Sequence, residues 1–335
     1  MEEKPSNESI VDPASRETTS LDVRLSVVVA TRDRSGRLKA LLDALDCQTI
    51  GRESFELVVI NDGSSDGTAT LVESRVDLVI THAEATGPAI ARQAGWKAAS
   101  GDLIAFTDDD CRPEPDWLEQ ALKAHRSAPH SIVQGQTRPD PAEDAVIDEP
   151  LARSIRVNEL GPFFQTCNVF YPRDLLESVG GFDPTIPRPS VEDADLAMRA
   201  LATGCGAVYA EDAIVNHAVE VQSLRAAVRG TKRWASLIPL VDRHPLLRKA
   251  FPWRGYVWRE THARLIVASL GIALAAGSGR KVFLLWAVPY LSLRNGWYPA
   301  GMLKTFRSLP KLVPVDAAEI GVLVGTSLKE RRLLL

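Results

Sequence analysis

Three consecutive aspartates, Asp108, Asp109 and Asp110, follow directly on the apolar run 102–107 (DLIAFT). Adjacent carboxylates repel one another, and a hard divalent cation held by their oxygens is the simplest relief. A second acidic turn, 61–67 (NDGSSDG), ends the apolar run 56–60 (ELVVI), and a polar turn, 31–36 (TRDRSG), ends 25–30 (LSVVVA). Farther along, Glu192 and Asp193 open a helical pattern, where the helix dipole favours negative charge. His217 closes the run 214–217 (IVNH).

These groups need a frame that brings them together. The runs 25–30, 56–60, 78–80 and 102–107 have the β-branched, apolar character of buried parallel strands. Between them, Leu38, Leu41, Leu42 and Leu45 recur at helical spacing, and 68–74 and 89–99 also read as helices. Strand and helix alternate, which predicts an α/β fold with right-handed parallel crossovers. In such sheets ligands sit outside the carboxyl ends of the strands, where the three polar turns fall. Neither GxGxxG nor GxxxxGK[ST] occurs, so dinucleotide and Walker-type phosphate loops are not supported. Residues 130–190 are mixed: a strand at 131–135, an acidic loop to Pro150, then 165–170 (QTCNVF).

Composition bounds the rest. Of 335 residues, 45% are hydrophobic and 24% charged, an ordinary globular balance that excludes collagen-like, wholly disordered and disulfide-scaffold chains. Residues 1–220 hold 20 basic and 38 acidic residues, a net −18; residues 221–335 hold 19 and 5, a net +14. The acidic front suits a cation; the basic back suits an anionic surface. Cys47, Cys111, Cys167 and Cys205 form no CxxC pair, which predicts reduced thiols in a cytosolic setting. Residues 1–23 are polar, lack an apolar targeting core and read as a disordered leader. Residues 24–220 read as one α/β domain and 221–335 as a basic, apolar, helical region. In that region two apolar runs, 265–276 and 282–293, are each shorter than a bilayer span of roughly 20 residues. They read either as paired core helices or as a membrane-surface hairpin, flanked by Arg264, Arg280, Lys281, Trp286, Arg294 and Trp297.

Taken in order, 25–34 (LSVVVATRDR), 58–68 (VVINDGSSDGT), 87–101 (GPAIARQAGWKAASG), 104–110 (IAFTDDD), 180–183 (GGFD) and 191–199 (VEDADLAMR) resemble a family 2 glycosyltransferase. The resemblance covers roughly residues 24–220. It implies a GT-A fold, a Rossmann-like, mainly parallel mixed sheet flanked by helices. It also implies inverting transfer of a sugar from a nucleoside diphosphate, with Mg²⁺ or Mn²⁺, to an acceptor hydroxyl on a glycan or lipid-linked glycan.

Each motif carries a role over by resemblance. Asp108 and Asp110 match the metal-binding D-x-D acids, and His217 matches a further metal or diphosphate contact. Thr31, Asp62, Arg92, Asp108 and Asp109 match the nucleotide side. A carboxylate at Asp62 accepts the imide N–H of uracil or thymine, which favours UDP or dTDP. Asp193 matches the catalytic base, with Glu192 and Asn168 on the acceptor side. Arg233 and Trp234, in 229–234 (RGTKRW), are similar to part of the Q-x-x-R-W signature of processive synthases and are expected beside the acceptor. The Gln position there is Gly230, which argues against processive synthesis.

Two other readings stay open. A sugar-nucleotide nucleotidyltransferase shares the fold, but its first loop is Gly-rich, whereas 31–36 carries Asp33. A non-catalytic scaffold at a membrane surface would explain the basic half, which holds no recognised nucleic-acid module. The sequence places the protein in the cytoplasm, at the cytosolic face of a membrane, with a nucleotide sugar as partner and no nucleic acid.

Overall fold

In a computed structural model, residues 24–186, 190–292 and 296–334 are described. The expected leader, Arg294 and the last residue of the second apolar run lie outside the described residues. Among the described residues ten strands form: β1 (Leu25–Thr31), β2 (Phe55–Asp62), β3 (Leu78–His82), β4 (Leu103–Asp108), β5 (Cys111–Pro113), β6 (Ser131–Pro139), β7 (Ala152–Arg153), β8 (Asn168–Pro172), β9 (Gly206–His217) and β10 (Glu220–Val221). Eight make one mixed sheet in the order β3-β2-β1-β4-β8-β6-β9-β5, and β7 pairs with β10 in a small ribbon. Strands β3, β2, β1 and β4 run parallel, as do β6 and β9; β8 and β5 pair antiparallel to their neighbours.

The sheet is buried on both faces, which is why its strands read as continuous apolar runs. One face, with Val27, Val29, Leu57 and Val59, packs on Leu38, Leu41, Leu42 and Leu45 of the helix Ser35–Asp46. The other, with Val28, Val58, Ile60 and Phe106, packs on Ala91 and Trp96 of the helix Pro88–Ala98 and on Leu196 of the helix Glu192–Ala202. A Cβ on Gly95 would lie 2.4 Å from Ile60 Cδ1 and 2.5 Å from Val28 Cγ1, so glycine lets the helix Pro88–Ala98 sit this close.

Parallel register aligns the polar strand ends. Thr31 lies opposite Asn61, Asp62 opposite His82, and Ala30 opposite Asp108. On the far side Cys111 pairs with His217, carrying the histidine to the acid triplet.

The C-terminal region differs from the sequence expectation. The first apolar run belongs to a 19-residue helix, Glu260–Ser278, that by length and composition is long enough to cross a bilayer. The second is a 3₁₀ stretch, Lys281–Ala287, and a short helix, Val288–Ser292. The longest helix, Pro299–Glu330, contains Pro310 and Pro314. Its residues pack against the rest of the protein: Leu323 lies in one cluster with Val191, Ala194, Leu237 and Phe251.

Asn168 requires a correction. Its side chain is fully buried at the start of β8 instead of facing an acceptor. Its Oδ1 accepts from Trp117 Nε1 at 2.8 Å, and its Nδ2 donates to the carbonyls of Gln136 at 2.7 Å and Ala213 at 2.8 Å. It joins β8, β6, β9 and the helix Trp117–Ser127. The turn at Gly180 and Gly181 packs on the helix Pro88–Ala98, across the sheet: a Cβ on Gly181 would lie 2.5 Å from Trp96 Nε1, and Phe182 is core. Asn168→Ala leaves one donor and two carbonyls unpaired and should cost about 3 kcal/mol in chemical denaturation.

Candidate active site

A cleft of about 1470 Å³ opens at the carboxyl ends of β1, β2 and β4. It is lined by Thr31, Asp62, Arg92, Asp108, Asp109, Asp110, Glu192, Asp193 and His217, and also by Arg233 and Trp234 from the C-terminal region. Apart from Asn168, every residue singled out in the sequence borders this one space.

The acid triplet is divided in orientation. Asp109 turns inward, only 5% exposed, and accepts from Thr31 Oγ1 at 2.8 Å and Arg34 Nη1 at 3.1 Å. Burial, opposed by Arg34 and assisted by Asp110, pushes its carboxyl up to about 6. Asp109 and Thr31 thus hold β1 to β4, with their polar atoms spent on each other. Asp110 Oδ2 accepts from Arg34 Nη1 at 2.9 Å, while its Oδ1 stands 3.5 Å from His217 Nε2. Asp108 Oδ1 accepts from Arg92 Nη2 at 2.5 Å.

Asp110, Cys111 and His217 bring possible metal-ligating atoms within 4.8 Å of one another. The Cys111 thiol is fully buried, and burial holds it protonated, which makes it a poor ligand for a hard cation. The carboxylates of Asp110 and Asp108, with the imidazole of His217, are donors that suit Mg²⁺ or Mn²⁺.

Asp62 is saturated on one oxygen. Its Oδ1 accepts from Thr86 N–H at 2.8 Å and Thr86 Oγ1 at 2.7 Å, and contacts His82 Nδ1 at 2.8 Å. Its Oδ2 accepts from Gly87 N–H at 2.8 Å. Burial works against the charged form, but these hydrogen bonds prevail and hold the carboxyl below its ordinary value. The carboxylate therefore fixes the loop ahead of the helix Pro88–Ala98, with acceptor capacity remaining on Oδ2.

Arg92 is not a solvated helix arginine. It is 7% exposed, bonds Asp108, and lies 3.5 Å from Glu192 Oε1 and 4.0 Å from Asp193 Oδ1. Its three acidic neighbours outweigh the cost of burial and push its guanidinium above the usual value.

Glu192 and Asp193 diverge. Glu192 Oε2 accepts from the N–H groups of Ser190 at 2.7 Å and Val191 at 3.0 Å, which lead into its helix, while the residue also borders the cleft. Asp193 Oδ2 accepts from Thr166 N–H at 3.0 Å and Thr166 Oγ1 at 3.1 Å, while its Oδ1 is buried without a hydrogen-bond partner among the described residues. Burial first, then Glu192, pushes this carboxyl up to about 7, against the opposing pull of Arg92. Sequence reasoning missed Thr166, Arg34 and the C-terminal wall built by Trp258, Arg259 and Glu319. Arg34 alone carried a signal, one residue inside the first polar turn.

Comparison with known proteins accounts for this arrangement. The chain matches Glycosyl transferase family 2 over residues 26–179 and Glycosyl transferase family group 2 over residues 103–298. It is 27% identical over 209 residues to Glycosyltransferase AglE of Haloferax volcanii, covering 58% of this chain and 66% of that protein. It is 30% identical over 218 residues to Validoxylamine A glucosyltransferase of Streptomyces hygroscopicus, covering 54% of this chain and 52% of that one. The match thus spans only part of these relatives' own length. Among solved structures it is similar to the mannosyltransferase PcManGT of Pyrobaculum calidifontis, crystallised with GDP-Man and Mn²⁺. That likeness has 22% identity, covers 92% of this chain and 88% of that one, and gives a TM-score of 0.63. The sheet with its flanking helix layers is therefore a GT-A fold. With the second family pattern running through more than half of its length, the chain belongs to the family 2 glycosyltransferases.

Proposed function

We propose that this protein transfers a sugar, with inversion, from a nucleoside diphosphate to an acceptor hydroxyl on a glycan or lipid-linked glycan. The observation that carries this reading is the Asp193 carboxyl, buried with one oxygen unbonded among the described residues, in the same cleft as the acid triplet and tied to it by Arg92. The nucleotide sugars bound by relatives such as PcManGT support the donor class.

The chemistry follows from the residues. Thr166 orients the Asp193 carboxylate, which takes the proton of the acceptor hydroxyl. The resulting oxygen attacks the anomeric carbon from the face opposite the diphosphate, and an α-linked donor yields a β-linked product. Asp108, Asp110 and His217 would hold a divalent cation, which supplies charge neutralisation to the departing diphosphate. Arg92 adds a fixed positive charge between leaving group and base. Asp62 Oδ2 would accept the imide N–H of uracil or thymine, favouring UDP or dTDP as the donor nucleotide. Residues 24–220 act as the catalytic unit, and 221–335 complete the acceptor wall.

The same region supports docking at the cytosolic face of an anionic membrane. The helix Glu260–Ser278 turns at Gly279, and the returning stretch packs on Gly271, where a Cβ would lie 2.6 Å from Trp286 Cβ. Ile272, Val282, Leu285 and Trp286 stay exposed. An apolar surface of this extent marks an interface. Arg280 and Lys281 sit at the hairpin tip, where a deep span would bury them in hydrocarbon. An interfacial pose puts them among phosphate headgroups instead.

Two tests follow. Calorimetric titration with UDP, dTDP and GDP should show metal-dependent binding of UDP or dTDP. Asp193→Asn should keep that binding but slow nucleoside diphosphate release from the donor by at least about 100-fold. The base works only when ionised, and its pKa is raised, so wild-type turnover should climb with pH and level off above about 7. Near-normal turnover by Asp193→Asn would sink the assignment. Separately, the full chain should co-sediment with vesicles rich in phosphatidylglycerol, and Leu285→Ser with Trp286→Ser should weaken this by about tenfold; equal pelleting of both would refute membrane docking.

A further inference from the structure

Arg34, Arg92 and Arg259 in the cleft are paired with carboxylates, Arg259 with Glu319 at 3.3 Å. Four other cleft arginines, Arg153, Arg156, Arg229 and Arg233, are in no such pair among the described residues, and of these Arg153 and Arg233 are the two whose charges act on each other. Among the described residues, no carboxylate lies within 4.0 Å of Arg153 or Arg233. Arg233 also has a buried Nε with no hydrogen-bond partner among the described residues. A cation left uncompensated at the wall of a cleft is costly unless a ligand completes it.

The two side chains are held in place. The Arg233 guanidinium lies over the Trp234 ring at 4.7 Å, and Arg259 lies over the same ring at 5.2 Å. Trp234 Nε1 donates to Glu319 Oε1 at 3.1 Å, which fixes the ring. Arg153 ends β7, opposite Glu220 of β10, and is open to the cleft. Burial, then Arg153 and Arg259, push Arg233 down to about 10, as expected for like charges gathered in one place.

Position tells which substrate Arg233 faces. The Arg233 carbonyl accepts from Ser190 Oγ at 3.1 Å, and Ser190 N–H in turn is bound by Glu192. Arg233 is therefore anchored to the segment that opens the Asp193 helix, on the base side of the cleft. Arg34 and Arg92 already serve the acid triplet.

We infer that Arg153 and Arg233 form an anion subsite for a phosphate carried by the acceptor, close to the hydroxyl that receives the sugar. Two guanidiniums match the charge and the oxygen geometry of a phosphate ester better than a single carboxylate would. This inference rests on the glycosyltransferase reading. It adds that the acceptor is itself phosphorylated, whether as a lipid phosphate or as a soluble sugar phosphate.

The test uses the full chain saturated with UDP and Mn²⁺, so that the donor side is filled. Farnesyl phosphate, glucose 1-phosphate and, as control, farnesol are titrated by calorimetry into wild type, Arg153→Gln and Arg233→Gln. At least one phosphate should bind, farnesol should bind at least about tenfold more weakly than farnesyl phosphate, and each substitution should weaken the phosphate by about tenfold or more. UDP affinity should stay within about threefold. Tighter binding of farnesyl phosphate than glucose 1-phosphate points to a lipid source; the reverse points to a soluble one. Arg153 is exposed, so its variant reports on the subsite even where Arg233→Gln disturbs packing. Normal UDP binding with no phosphate binding overturns the subsite alone. A parallel loss of UDP affinity in both variants assigns the arginines to the donor and also overturns it. Failure of wild type to bind any nucleotide overturns the glycosyltransferase reading itself.

Discussion

A single buried guanidinium organises this site. Arg92 sits on the helix Pro88–Ala98, almost without solvent, and its charge is tolerable only because three carboxylates surround it. Removing a partner from such a group leaves an unpaired buried charge at a cost of about 3–5 kcal/mol. The carboxylates come from two distant parts of the chain, the end of β4 and the start of the helix Glu192–Ala202. Arg92 therefore fixes the distance between the acid triplet and Asp193, and Gly95, one turn along its helix, sets how deeply it reaches. The helix packing that builds the core also sets the geometry of the chemistry.

The same arrangement explains how two adjacent acids differ. Glu192 is satisfied on one oxygen by the N–H groups of Ser190 and Val191, at the approach to its helix. Asp193 has one oxygen held by Thr166 and the other left bare, with Glu192 beside it. Burial and a like charge raise the proton affinity of Asp193, and Arg92 limits how far. Neighbouring carboxylates are thereby driven toward separate tasks, one structural and one suited to proton transfer near neutral pH.

Much of the frame was legible because buried parallel strands leave continuous β-branched runs and each was followed by a polar turn. Parallel register then necessarily gathers those turns. What was hidden depends on side-chain direction. Asn168 and Glu192 are polar residues at element ends, and no local pattern tells whether such a group faces a cleft or satisfies the backbone. Arg92 stood out only through the family resemblance, since its burial depends on a segment a hundred residues later. The helix Pro299–Glu330 was concealed by Pro310 and Pro314, because proline inside a helix removes a hydrogen bond and normally ends it.

That concealed helix matters for how the two halves of the charge pattern meet. Glu319, on the helix Pro299–Glu330, accepts from Trp234 Nε1 and lies 3.0 Å from His262 and 3.3 Å from Arg259. His262 is in the first turn of the helix Glu260–Ser278, whose later residues carry the exposed apolar face. One buried carboxylate thus binds the cleft wall to the base of the apolar hairpin. Burial opposes its charge, but His262 and Arg259 hold it below the ordinary value, so it stays ionised and the clasp stays closed at neutral pH. A hairpin seated on a bilayer would then hold the cleft at a fixed height and angle above the headgroups. In that pose the basic half of the chain would orient the acidic half toward its substrate, and the two opposite charges would serve one geometry.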